Sequence, residues 1–131
     1  MKTPLLLLVV AAALGAQAPS WVAESARNIP IAYTVDVVVV GGSTGAVASA
    51  VAATEKGAKV FLAAPRPYLG EDVCAPMRLW LEEGEEPAAP LATALFGGGR
   101  GPFTPMHVKK TLDEALLAAK VDFLYSCYAT D

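Results

Sequence analysis

The hydrophobic and polar pattern of the chain is most regular between residues 36 and 64. Four consecutive valines at positions 37–40 follow an aspartate and are ended by Gly41 and Gly42. An unbroken apolar run of this kind is typical of a strand that is buried on both faces, as strands of a parallel sheet are. We therefore predict a buried first strand over residues 33–40.

A helix and a second strand are predicted to follow directly. The segment 44–56 is rich in alanine, and its small and apolar residues recur at the spacing of one helix face. That face holds Val47, Ala50, Val51 and Thr54. Gly57 stands where a helix C-terminal cap belongs, and the apolar run 59–64 predicts the second strand. Together these elements form a βαβ unit of about thirty residues, the usual form of a right-handed crossover between parallel strands.

The pattern is less regular after the second strand. Residues 72–81 carry apolar side chains at helical spacing, which predicts a helix, and a short helix is predicted over residues 90–96. Thr104 and Pro105 have the N-cap and first-position signature of a further helix. Its apolar face holds Val108, Leu112, Ala115, Leu116 and Ala119. The apolar stretch 121–128 then predicts a third strand.

These elements predict an α/β fold, a Rossmann-like βαβ unit with a parallel sheet of about three strands. We expect the domain to span residues 33–131, with residues 73–103 as an irregular insertion. A three-stranded parallel sheet leaves an exposed edge, which is an awkward place for a domain to finish. The domain is therefore expected to be incomplete and the chain to be a fragment of a longer protein.

The N-terminus has the pattern of a secretory signal peptide. A basic start at Lys2 precedes an apolar run over residues 4–14 and an Ala-x-Ala ending at residues 16–18. A membrane-spanning helix needs about twenty apolar residues, and this run is shorter. We predict cleavage after Ala18, a leader over residues 19–32, export to the periplasm or beyond, and no stable membrane span after cleavage. An uncleaved N-terminal anchor is the alternative.

Composition limits the possible partners. The formal net charge is −3, and the longest basic run is the pair Lys109 and Lys110, so nucleic-acid binding is not expected. Two cysteines, Cys74 and Cys127, permit a disulfide in an oxidising compartment but do not require one. The single histidine, His107, has no neighbour in sequence that would complete a metal site, so no metal is predicted.

The glycine turn after the first strand is the strongest chemical signal. Glycine lets the backbone turn sharply and approach a pyrophosphate closely, and the following helix directs free N–H groups to the same place. Aligned with the G-x-G-x-x-G/A pattern, the three small positions fall on Gly41, Ser43 and Ala46. The middle position is serine where glycine is usual. A turn that only closes a strand–helix corner is the other interpretation.

The acidic residue that usually binds the ribose is missing. It is expected about twenty residues further on, at the end of the second strand, where this chain has Ala64, Pro65 and Arg66. The next carboxylates are Glu71 and Asp72. The backbone and Arg66 could bind the ribose, Arg66 could meet a 2′-phosphate, or the site could have shifted. Arg66 could equally be a plain surface charge.

Segments 36–46, 48–53, 57–62 and 69–72 resemble the N-terminus of FAD-dependent oxidoreductases of the glutathione-reductase-like superfamily, the exported bacterial group above all. The resemblance implies FAD as cofactor and an activity shared with the remaining part of a longer chain. It implies that FAD is held by Gly41, Gly42, Ser43, Thr44, Gly45, Ala46, Ala64, Pro65, Arg66, Gly70 and Glu71.

No catalytic residue is named, because the flavin supplies the chemistry and the family segments that contact the flavin and the substrate come later. The substrate is expected to be a small molecule of unknown class, and an isolated chain of this length is expected to bind FAD poorly. Two alternatives remain at this point. One is an NAD(P)-dependent reductase domain in which Arg66 selects a 2′-phosphate. The other is a non-catalytic nucleotide-fold or structural module.

Overall fold

The computed structural model describes Ala26 and residues 28–130 of the chain. By its internal contacts the chain divides into the units Met1–Pro30 and Ile31–Asp131, and every helix and strand described lies in the second. The predicted signal peptide and the first part of the predicted leader lie outside the described residues. No helix in the described part of the chain is long and apolar enough to cross a membrane.

Three strands form one parallel sheet in the order β1-β2-β3. They are β1 Val37–Val40, β2 Val60–Ala63 and β3 Asp122–Leu124. Both pairings are parallel, with Val37 opposite Val60 and Phe61 opposite Asp122. The predicted α/β class, with a parallel sheet of three strands, is confirmed.

The first and third strands are shorter than the sequence predicts. Before β1, the N–H of Lys59 donates to the Asp36 carboxylate at 2.8 Å instead of to a backbone carbonyl, and the strand ladder begins at Val37. After β3, Ser126 has a φ of 51°, a left-handed backbone conformation that ends an extended segment. One side-chain hydrogen bond and one backbone reversal therefore limit the two strands, although their hydrophobic pattern continues further.

Four helices connect the strands. They are α1 Thr44–Glu55, α2 Glu71–Cys74, α3 Pro90–Phe96 and α4 Pro105–Ala118. The predicted caps of α1 and α4 are confirmed, since Gly57 has a φ of +88° and donates to the carbonyl of Thr54 at 2.8 Å. At the start of α4, the Thr104 hydroxyl accepts from the N–H of His107 at 3.2 Å.

The core lies between α1, α4 and the helix-facing side of the sheet. Among its fully buried residues are Val47 and Ala50 of α1, Leu62 of β2, and Leu112 and Leu116 of α4. These are the apolar faces that the helical spacing predicts. Full burial of one such leucine or valine stabilises a fold by about 1.5–3 kcal/mol relative to exposure, so these faces hold the layers together.

The other side of the sheet is largely exposed in the described part of the chain, although the Tyr33 ring packs on the Phe61 ring there, with 4.5 Å between centroids. Side chains alternate along β1, so Val39 packs against the core while Val38 is 59% and Val40 is 57% exposed. Leu124 of β3 is 45% exposed. The expectation that the valine strand is buried on both faces is therefore wrong for residues 28–130. All four residues of β1 are valine, but helices pack against only one face of the strand.

The predicted helix over residues 72–81 is also wrong, because α2 ends at Cys74. Proline within a helix removes an N–H and crowds the preceding turn, and Pro76 follows two residues later. Met77 then takes a φ of 58°. Leu79 is buried, and its carbonyl accepts from the N–H of Phe103 at 2.7 Å. The apolar spacing here reflects a loop that packs on a distant segment.

Candidate functional site

The glycine turn between β1 and α1 is tight. Gly41 has a φ of +143°, which side-chain-bearing residues rarely adopt, and a Cβ there would lie 3.4 Å from the Cβ of Ala46. A Cβ on Gly42 would lie 3.5 Å from both the Cβ of Ala64 and the carbonyl oxygen of Tyr68. The two glycines therefore bring the end of β1 close to the start of α1 and to the segment after β2.

The turn presents the N-terminus of α1. Ser43 is the N-cap, and its hydroxyl accepts from the N–H of Ala46 at 3.1 Å. Among the described residues, the N–H groups of Ser43 and Gly45 have no hydrogen-bond partner. Free N–H groups and the positive end of the helix dipole attract anions, phosphate in particular. The serine that replaces the usual middle glycine thus serves as the helix cap.

The loop after β2 is attached to this turn at two points. The N–H of Gly70 donates to the carbonyl of Gly42 at 2.7 Å. Asp72 accepts the Thr44 N–H on Oδ1 at 3.0 Å and the Thr44 hydroxyl on Oδ2 at 2.5 Å. The structure therefore brings Gly70 to the predicted turn residues and adds Asp72, which the sequence reasoning left out of the site. Because Thr44 and Asp72 are 28 positions apart, no local pattern in the sequence reveals the contact.

Gly70 is held in place from the other side by α4. It has a φ of +78°, and a Cβ there would come within 2.8 Å of Cγ1 of Val108 and 2.9 Å of Cδ1 of Leu112. Such distances do not occur between real side chains, so the residue has to be glycine for α4 to pack. The packing of α4 therefore fixes the position of the loop after β2 relative to the glycine turn.

The segment that replaces the usual ribose carboxylate lies at the end of β2. Ala64 is fully buried, its N–H donates to the carbonyl of Leu124 at 2.9 Å, and its carbonyl accepts from Cys127 at 3.0 Å. After Pro65, the Nε of Arg66 lies 3.4 Å from Oε2 of Glu71 in a partly exposed ion pair. Backbone pairing thus engages Ala64, while Arg66 and Glu71, both predicted site residues, contact each other.

A cavity of about 520 Å³ lies beside the N-terminus of α1. This is within the usual range for small-molecule sites. Among its lining residues are Thr44, Asp72, Arg78, Trp80, Glu85, Glu86 and Phe96. Arg78 contacts both carboxylate oxygens of Glu85, at 2.8 and 3.0 Å. The N–H of Glu82, together with Arg78, holds the pKa of Glu85 below its usual range. The Arg78 side chain in this wall is therefore already paired with Glu85.

The other candidate residues contribute to packing. Cys74 and Cys127 are both free thiols. Burial raises the pKa of the Cys74 thiol, which disfavours the reactive thiolate. His107 lies 3.0 Å from the carbonyl of Leu95 through Nε2 and stacks on Phe103. Over residues 28–130, no group of three or more histidine, cysteine and carboxylate side chains is placed to hold a metal ion.

Comparison with protein families decides which dinucleotide this site suits. The model of the family described as FAD dependent oxidoreductase matches residues 36–131, which is more than half of the chain. The chain belongs to this family. Its cofactor is accordingly FAD, and the coarse function is that of a flavin-dependent oxidoreductase domain. No curated protein and no solved structure matches the chain.

The residues around the turn fit a cofactor of this kind. The Gly41 conformation keeps the turn free of side chains, Ser43 and Gly45 offer N–H donors, and the helix dipole favours the negative charge of a pyrophosphate. When bound, the isoalloxazine ring supplies the redox chemistry. The residues of this chain would supply attachment and orientation.

Proposed function

We propose that this chain is the N-terminal, FAD-binding portion of an exported flavin-dependent oxidoreductase of the glutathione-reductase-like superfamily. The observation that carries the proposal is the conformation of Gly41 at the N-terminus of α1, within a segment that matches an FAD-dependent family. A strand, a glycine turn and a capped helix in this order form the arrangement that binds dinucleotide phosphates.

Each predicted contact residue has a proposed part in holding FAD. The pyrophosphate lies against residues 41–46, where the N–H groups of Ser43 and Gly45 are free to donate. The adenosine lies toward residues 64–66, beyond the carboxyl end of β2, which is where ligands bind in open α/β sheets. Gly70 and Glu71 border the cofactor from the loop that Gly70 ties to the turn.

The exposed face of the sheet supports the proposal that the domain is one part of a longer protein. Parallel sheets are covered on both faces in known folds, yet Val38, Val40 and Leu124 are exposed on one face here. The remaining part of the protein would cover that face and bring the groups that contact the flavin ring and a small-molecule substrate. The signal-peptide pattern at the N-terminus supports export.

The FAD match favours this function over a nicotinamide-dependent reductase. In that alternative, Arg66 would bind a 2′-phosphate, but its guanidinium already contacts Glu71. The match to an oxidoreductase family likewise favours an enzyme domain over a purely structural module.

The experiment compares Gly41→Ala with Gly57→Ala in the full-length protein. Both glycines have positive φ and flank α1, but only Gly41 borders the proposed phosphate site. A methyl group at Gly41 would enter the turn, so we expect at least about a tenfold loss of FAD affinity, the equivalent of about 1.4 kcal/mol. Flavin absorbance per protein and titration of the apoprotein measure it.

Gly57→Ala adds the same methyl group in open space, with no atom within 4 Å. It should cost stability through backbone strain alone and leave FAD affinity within about twofold of the original protein. Equal flavin retention in both folded variants would show that the turn does not hold the cofactor.

A further inference from the structure

The contact between Asp72 and Thr44 places a carboxylate at the start of α1. Both carboxylate oxygens are engaged, one with the Thr44 N–H at 3.0 Å and one with its hydroxyl at 2.5 Å. Thr44 is the first residue of the helix, so its N–H is among those that no helical carbonyl satisfies. Asp72 thus acts as an anionic cap, the kind of charge that a helix N-terminus favours.

A bound phosphate would use the same part of the helix. The first N–H groups of a helix form its anion site, and the family match independently assigns a cofactor that contains a pyrophosphate. Two negative charges a few ångströms apart repel each other. The Asp72 carboxylate and the cofactor therefore interact unfavourably at this helix end.

The Asp72 side chain can leave without disturbing the core. The residue is exposed, and α2 is fixed by contacts that do not involve its carboxylate. The N–H of Gly70 binds the carbonyl of Gly42, and Cys74 is buried at the far end of α2. A rotation of one exposed side chain is enough to free the Thr44 amide.

We propose that Asp72 competes with the pyrophosphate of FAD for the Thr44 amide and thereby sets the affinity of the site. The proposal rests on the proposed function, which places the pyrophosphate at residues 41–46. Asp72 is then a positioning residue with two opposite effects. It stabilises the apoprotein by capping α1, and it weakens FAD binding because its cap has to be displaced.

The test uses two neutral variants, Asp72→Asn and Asp72→Ser, in the full-length protein stripped of flavin. The FAD dissociation constant is measured by flavin fluorescence at low and at high salt. Melting temperatures are recorded with and without FAD. The matched control is Glu86→Gln, which removes a carboxylate from the wall of the same cavity but has no hydrogen bond to α1 among the described residues.

We expect the neutral variants to bind FAD about fivefold more tightly at low salt, a change of the size found for one charge at a helix end. High salt should reduce the gain, because it screens the repulsion. The apoprotein should melt at a lower temperature than the original, while the increase in melting temperature caused by FAD becomes larger. Glu86→Gln should change the dissociation constant by less than about twofold.

Several results would overturn the proposal. Unchanged or weaker FAD binding in the neutral variants would show that Asp72 only braces the loop, as would equal losses of melting temperature with and without FAD. Failure of both variants to fold would show that the carboxylate is structural and cannot be displaced. If Gly41→Ala retains FAD, the site assignment itself fails. If Gly41→Ala loses FAD and only the Asp72 result is negative, the site stands and the competition is excluded.

Discussion

The two faces of the sheet differ in what covers them. On one face, α1 and α4 bury Val47, Leu112 and Leu116 completely. On the other, Val38 and Val40 are more than half exposed. Both faces have apolar side chains from the same strands. The difference teaches that the described helices cover one face of the sheet, whereas the apolar side chains of its strands are suited to burial on both faces.

The proposed FAD site depends on the covered face. Gly70, which ties the loop after β2 to the glycine turn, is packed against Val108 and Leu112 of α4. Core side chains thus set the distance between this loop and the glycine turn. Substitutions in the core are therefore expected to alter both the site and the stability of the fold. Substitutions on the open face, the one with Val38 and Val40, test whether a further part of the protein covers it.

The largest expected effect is on the covered face. Leu112→Ala should reduce the free energy of unfolding by about 3 kcal/mol, because it removes a fully buried side chain and leaves a cavity. It should also weaken FAD binding, since Leu112 supports Gly70. Urea unfolding and FAD titration of the full-length protein measure the two effects.

Leu117→Ala is the control from the same helix. Leu117 is 64% exposed, so its loss should change the free energy of unfolding by less than about 0.5 kcal/mol. Similar costs for the two leucines would mean that the face of α4 that contacts the sheet has been misassigned.

The elements with the strongest local signals could be predicted from the sequence. The glycine turn, the α1 face at Val47 and Ala50, and the Thr104 cap of α4 all depend on neighbouring residues, and the structure confirms them. The short helix over residues 90–96 also agrees. Backbone geometry and helical spacing are local, which is why they can be recognised in a single sequence.

Long-range contacts could not be predicted in the same way. The contact of Asp72 with Thr44 joins residues 28 positions apart, and the carbonyl of Leu79 pairs with Phe103 across a loop. Residues 72–81 have apolar side chains at helical spacing, but the segment forms a loop that pairs with Phe103 instead of a helix. The valine run of β1 likewise shows that both faces of the strand are suited to burial. Tertiary packing decides which of these valines the described residues bury.

The open face gives an intermediate effect that tests the incomplete-domain proposal. In the full-length protein we expect Val38→Thr to reduce the free energy of unfolding by about 1–2 kcal/mol, because the remaining chain would bury the new hydroxyl. Val47→Thr, at a fully buried position of the covered face, is the matched comparison and should cost a similar amount. A cost below about 0.5 kcal/mol for Val38→Thr alone would show that this face stays exposed to water.

The smallest expected effect on stability comes from a substitution at Tyr125, which follows β3 and contacts α4. The Tyr125 hydroxyl donates to Asp113 of α4, so Tyr125→Phe should reduce the free energy of unfolding by about 0.5–1 kcal/mol near neutral pH. Tyr128→Phe, at a residue that is 70% exposed, is the control and should cost less.

Alkaline pH separates this hydrogen bond from simple packing. Burial, followed by the hydrogen bond to Asp113, raises the pKa of the Tyr125 phenol above its usual range. Above the usual tyrosine pKa of about 10, the unfolded chain loses this proton while the folded protein keeps it, so stability falls as pH rises. Tyr125→Phe has no proton to lose and should show a smaller alkaline decrease, measured by urea unfolding on either side of that pH. An equal decrease in both proteins would show that Tyr125 does not join α4 to β3 through its hydroxyl.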